Sequence, residues 1–205
     1  MKNITLLFIL LLILFSCNEK KVNNVKFKSE TKDILFYDNK EIINLTARKL
    51  FSEGLKEVDA QNYKLAREKF TEADKLESKN PIILNGIAQV ESRLGNTKKA
   101  IDISLNIISI DSNYVETYVN LGQNYMEQKN YNRAKEILIQ GLKFTDKTSL
   151  YTKSILLINL SIAYKNLNDC ENALKYVTES LKISRDKEII KFAENLKKEI
   201  EICLN

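Results

Sequence analysis

Small and apolar side chains return at a fixed interval through the middle of this chain. Ala66, Ala100 and Ala134 stand 34 residues apart, each in a similar frame of apolar and polar neighbours. A period of this length predicts an array of helix–turn–helix units stacked on one another. One stretch, Ile101 to Ile107, alternates like a half-buried strand. Its register with the sister segments nonetheless predicts helix. After Lys187 the apolar residues Ile189, Ile190, Ala193, Leu196, Ile200 and Leu204 follow helical spacing, with Lys and Glu between them. They predict one last amphipathic helix over 187–205, covering the apolar face that a terminal unit would leave open.

Four units lie on one frame, at about 47–80, 81–114, 115–148 and 154–186. The first carries Gly54, Tyr63, Ala66, Phe70 and Ala73; the second Leu84, Ile87, Ala88, Gly95 and Ala100. The third has Tyr118, Leu121, Gly122, Tyr125, Tyr131, Ala134 and Leu138; the fourth Leu157, Leu160, Ser161, Tyr164, Ala173 and Val177. This pattern resembles the tetratricopeptide repeat family, whose units place an aromatic, Leu-Gly, Tyr, Ala, Phe and Ala at these intervals. The resemblance spans residues 41–205 and implies an all-α fold: a right-handed α-solenoid of about four such repeats plus a C-terminal capping helix.

The residue types have physical reasons. Gly54, Ala88, Gly122 and Ser161 share one place on each first helix, and Ala66, Ala100, Ala134 and Ala173 one place on each second helix. Small against small is expected to let the paired helices approach closely. Asn62, Asn96, Asn130 and Asp169 precede each second helix, where their side-chain oxygens are expected to cap it. Ahead of them, Gly95 and Asn168 suit a left-handed helix end, while Gln61 and Lys129 fit it less well. Pro81 suits the first turn of its helix. The fourth alanine, Ala173, follows 39 residues after Ala134. The surplus, Ser149 to Lys153, either lengthens a loop or extends the next helix backward; an exposed loop insertion is the expectation.

The N-terminus changes the setting. Lys2 precedes a 12-residue run, Ile4 to Phe15, apolar except for Thr5. A spanning helix needs about 20 residues, so this is the length of a secretory signal core. It ends in Leu14-Phe15-Ser16-Cys17, which resembles the lipobox of bacterial lipoproteins, although Phe15 stands where a smaller residue is usual. The implied organisation is a signal peptide over 1–16, a lipid-bearing Cys17, and a tether over 17–40 reaching about 25 Å as a random coil. An ordinary cleaved signal and an uncleaved anchor are the alternatives. Ile34-Leu35-Phe36-Tyr37, within the tether, is expected to cover the first repeat, or else to dock a partner. The location implied is the bacterial cell envelope; Asn18, in place of an aspartate, favours the outer membrane.

With Cys17 lipidated, Cys170 and Cys203 remain. Export permits a disulfide. Neighbouring helix axes are about 8–10 Å apart, however, and bridged Cα atoms lie within about 7 Å, so two unpaired packing cysteines are expected.

Charge and composition narrow the function. The chain carries +5, but from Glu41 onward 25 basic residues face 23 acidic ones, without the basic stripe of a nucleic-acid binder. There is no histidine, no glycine-rich phosphate loop and no metal-ligand spacing. Glu68 and Glu72 lie on one helix face, the usual mark of solvated surface. No catalytic residue, cofactor or metal is expected.

The resemblance implies a concave groove lined by the first helices. By the family frame its residues are Arg48, Ser52 and Leu55; Asn85, Gln89 and Arg93; Asn120, Gln123 and Glu127; and Asn159, Ile162 and Asn166. Amides offer donor and acceptor to any peptide backbone, and Asn120 and Asn159 stand where the family often clamps one. The paired lysines that bind peptide carboxylates in some relatives are replaced by Phe51 and Asn85. The expected partner is a protein, bound as an extended peptide or a helix, with a lipid anchor to the membrane and no nucleic acid. The alternative is a self-associating structural or assembly subunit that uses its convex face or its ends.

Overall fold

The computed structural model describes residues 41–204, the side chains of Lys147 and Cys203 excepted. The signal sequence, Cys17, the tether and the Ile34–Tyr37 segment lie outside the described residues. Within them the chain forms nine α-helices and one short 3-10 turn, with no strand. The helices are α1 (Leu45–Asp59), α2 (Tyr63–Leu76), α3 (Pro81–Arg93), α4 (Thr97–Ile110), α5 (Val115–Glu127), α6 (Tyr131–Leu142), α7 (Leu150–Asn166), α8 (Cys170–Ile183) and α9 (Lys187–Leu204). They pair as antiparallel hairpins, α1 with α2 through α7 with α8, and each second helix packs on the next first helix. α3 also touches α5, and α5 touches α7, so these first helices stack directly. α9 closes the array against α8 and α7. This is an all-α solenoid, and the strand-like Ile101–Ile107 stretch is helical within α4.

The four turns inside the hairpins are built alike. Gln61, Gly95, Lys129 and Asn168 all take positive φ, at 61°, 83°, 59° and 60°. The next residue's N–H reaches back to the helix: Asn62 to Glu57 O, Asn96 to Glu91 O, Asn130 to Tyr125 O and Asp169 to Tyr164 O. The positive-φ residue bonds to the carbonyl one residue further along, as Gln61 N does to Val58 O. Two such bonds around a left-handed residue close each first helix. Gln61 and Lys129 therefore occupy the conformation for which they looked poorly suited, because the repeat register dictates it.

Only two of the four expected side-chain caps form. Asn130 Oδ1 accepts from Arg133 N and Asp169 Oδ1 from Asn172 N. Asn62 and Asn96 make no such cap. Their amide nitrogens instead donate backward to Glu57 and Glu91, at 2.9 and 2.6 Å. The difference lies in the preceding helix, which offers a carboxylate at that place in the first two units and Tyr125 or Tyr164 in the others.

In the fourth hairpin the small residues meet as expected, Ser161 Oγ donating to Ala173 O at 2.7 Å, but the close approach in the first and third differs from the small-on-small expectation. Gly54 sits under the Phe70 ring, and a Cβ there would lie 2.4 Å from Phe70 Cε1. Gly122 sits likewise under Leu138. The glycine is a socket for a large side chain sixteen residues on, rather than a partner of the buried alanine. In the first unit Phe70 also packs on Phe51, with ring centroids 4.9 Å apart, amid Ile42, Ile83 and Ile87.

The surplus before the fourth unit is helix, not exposed loop. Ser149 caps α7 by accepting from Thr152 N, and Thr152, itself buried, donates to Glu116 Oε1 at 3.1 Å. Leu150–Lys153 thus add a turn to α7. That 17-residue helix then buries every position from Thr152 to Ser161 except Lys153. A helix apolar on all sides belongs in a core, and α7 is covered by α5, α6, α8 and α9.

Candidate functional site

The predicted groove row differs from residue to residue in burial and in the bonds its side chains make. Arg48 Nε donates to Ile42 O at 2.8 Å, and Ser52 Oγ to Arg48 O at 2.9 Å, so both serve the start of α1. Leu55 packs on the first core. Asn85 is fully buried on α3 and accepts from Asn120 Nδ2 of α5 at 2.8 Å. Asn166 donates to Ile162 O within its own helix. Gln89, Gln123 and Ile162 are half-buried, and Arg93 and Glu127 are exposed.

Asn159 is different. It is 3 % exposed, and its Nδ2 finds no hydrogen-bond partner in the protein. A buried amide donor normally has one. The structure brings Asn85 and Asn120 together, but joins Asn159 to neither of them.

Two residues of this face were missed by the sequence reading. Asn124, one turn after Asn120 on α5, is buried and accepts from Ser92 Oγ of α3 at 2.7 Å. With the Asn85–Asn120 bond this makes two polar rungs between neighbouring first helices. The four-residue step from Asn120 was the available signal, since it keeps both on one helix face.

A second concavity, of about 560 Å³, contains none of the predicted row. Its walls include Glu41, Asp111, Glu116, Lys143 and Asp146. Burial raises the Glu116 carboxyl above its ordinary value, against the hydrogen bond from Thr152. Among the described residues no group of His, Cys, Asp or Glu is arranged to hold a metal ion. Glu68 and Glu72 are exposed on α2. No described helix is long and apolar enough to cross a membrane.

The tetratricopeptide repeat model matches residues 115–147 and 155–187, the third and fourth units. The third and fourth units are tetratricopeptide repeats, and the array has the tetratricopeptide fold. Its first two units are helix hairpins with the same left-handed turns, though the family model does not reach them. No curated protein matches the chain in sequence. Among solved structures it is similar to TTC0263, a thermophilic repeat protein of Thermus thermophilus, at 15% identity and a TM-score of 0.64; the match covers 78% of this chain and 83% of that one. It is similar to pilF of Pseudomonas aeruginosa at 16% identity and 0.64, covering 82% and 77%. The Sgt2 repeat domain of Aspergillus fumigatus matches at 22% identity and 0.57, covering 62% and 83%. These likenesses establish the fold. A tetratricopeptide solenoid supports protein-interaction scaffolding, and proteins of this family are generally non-catalytic scaffolds.

Cys170 requires a correction. It is buried at the start of α8 and disulfide-bonded, where an unpaired packing cysteine was expected. The separation of helix axes, on which the expectation rested, does not set the distance between residues at helix ends.

Proposed function

We propose that this protein is a non-catalytic, lipid-anchored adaptor of the bacterial cell envelope, holding an extended segment or helix of another protein against its stacked first helices. The observation that carries the groove reading is Asn159. A buried side-chain donor with no partner in the protein is costly to keep, and the carbonyl of a bound backbone would satisfy it. Gln89 and Gln123, half-buried on successive first helices, supply further donors and acceptors beside it. Arg93 and Glu127 at the exposed end offer one charge of each sign. The envelope location and the anchor rest on the signal-like core and Cys17, and on nothing in the helical array.

In-cell photo-crosslinking from position 123, read by mass spectrometry, tests the groove. One dominant protein adduct that disappears in Asn159→Ala supports the reading. Adducts only from probes on the second helices would overturn it. Cys17→Ser tests the anchor separately: the protein should leave the membrane fraction, and an unchanged distribution would refute lipidation.

A second reading has its own observation. Ile43 and Leu45 are 83 % and 75 % exposed at the start of the first unit, an apolar end that suits self-association. Concentration-dependent mass of the delipidated protein would favour it; a constant monomer would dismiss it.

A further inference from the structure

Cys170 is disulfide-bonded, and the chain holds only two other cysteines, Cys17 and Cys203. Three observations bear on which one it meets. α9 returns along α8 after a short turn, because Ile183 ends one helix and Lys187 begins the next. Lys165, near the end of α7, forms an ion pair with Glu199 of α9, which fixes the far end of α9 beside the turn that leads into Cys170. Cys203 follows Glu199 by four residues, one helical turn or about 6 Å of rise. It also continues the spacing of Ile189, Ala193, Leu196 and Ile200, all buried where α9 meets the array.

We infer that Cys170 is cross-linked to Cys203, and that this bond staples the capping helix to the last repeat. The bond ties the first residue of α8 to the last turn of α9, so the cap is held at both ends: by the Ser184–Asp186 turn at one and by sulfur at the other. Without it, α9 is held by a single apolar stripe and rim ion pairs. A terminal helix of that kind frays readily. Peeling it away would uncover the face of α8 on which α9 packs. Forming the bond removes two protons and two electrons from the thiol pair. They pass to a disulfide oxidant, of the small-molecule or protein thiol–disulfide class, which becomes a dithiol. Such oxidants act outside the reducing cytosol, so the staple would be set after export and opened by reductant.

The test uses the full chain purified without reductant. Free thiols are blocked, the protein is digested, and the peptides are mapped by mass spectrometry before and after reduction. The expected result is one linked pair joining the Cys170 and Cys203 peptides. A Cys170 peptide recovered alkylated, linked to Cys17, or linked to a second chain would overturn the assignment. Hydrogen exchange then tests the staple. Reduction should speed exchange of the α9 amides by about 100-fold and leave α3 and α5 unchanged. Cys203→Ser should reproduce the reduced pattern without reductant. Exchange in α9 that ignores both treatments would show that the bond holds nothing in place.

Discussion

Asn120 of α5 donates through Nδ2 to Oδ1 of Asn85 on α3 at 2.8 Å, and neither side chain is more than 9 % exposed. Two amides predicted to face a ligand are therefore spent on each other. Each holds the other's register between adjacent first helices, with Ser92 and Asn124 making the next rung. Removing one partner strands the other. Asn85→Ala or Asn120→Ala should cost about 1–3 kcal/mol in urea unfolding. Replacing both with leucine should cost less than the two alanine changes together, because no polar atom is then left buried. An additive pair would mean that the bond contributes no coupling.

Gln61 and Lys129 hold φ near 60° at the ends of α1 and α5. For a residue with a Cβ the left-handed conformation carries about 1–2 kcal/mol of strain. Gly95 takes the same place in the second unit with open space around it. Gln61→Gly and Lys129→Gly should each raise stability by roughly 1 kcal/mol, less the extra entropy of glycine in the unfolded chain. Thermal melts of the single and double variants check this. A lower melting temperature for both would mean that the side chains hold something the turn geometry does not reveal.

These two turns also mark where the sequence stopped being legible. The period of 34 fixed the helices, their pairing and the capping helix, because close-packed positions recur whatever the surroundings. It could not tell what each repeated position does, since that depends on a neighbour in another helix. Asn62 occupies the same place as Asn130, yet Glu57 draws its side chain backward whereas Tyr125 leaves Asn130 free to cap. The groove suffered similarly: Asn120 and Asn159 hold one place in the repeat frame, but only Asn120 meets an asparagine on the neighbouring first helix. Ser149–Lys153 show in the sequence only as surplus length, which fits a loop as well as a longer helix, and the burial of Thr152 against Glu116 is invisible in one dimension.

Glu91 is fully buried at the end of α3 and accepts from Lys99 Nζ and Asn96 Nδ2, both at 2.6 Å. Burial alone would raise its carboxyl. The hydrogen bonds from Lys99 and Asn96, with the positive charges of Lys99 and Arg67, outweigh that and hold it below the ordinary value of 4.5. A folded value below the unfolded one stabilises the protein above the unfolded value, and the gain is lost as pH falls through the folded one. Glu91→Gln should therefore unfold more easily than the native chain at pH 7, by about 1.5–3 kcal/mol for charge-assisted bonds. The gap between the two should close as the medium is acidified below pH 4.5. Urea titrations at several pH values measure it, and a gap that stays constant would rule out the carboxylate as its source.

Gly54 and Phe70 provide the sharpest packing test. A methyl on Gly54 would fall 2.4 Å from Phe70 Cε1 and 2.6 Å from Cδ1, inside any tolerable contact. The ring has little room to retreat, because Phe51 lies across one side and a Cβ on Gly86 would already come within 3.3 Å of its other edge. Gly54→Ala should cost about 1–3 kcal/mol through overpacking, despite alanine's better helix propensity of about 1 kcal/mol. Phe70→Leu should also destabilise, by leaving a void. Combined, the two should be milder than their sum, because the smaller side chain vacates the space that the methyl needs. Gly122→Ala, set against Leu138, should show the same penalty in the third unit. If Gly54→Ala instead stabilises the protein, the two helices can separate at this contact without loss. The socket would then not be what sets their spacing.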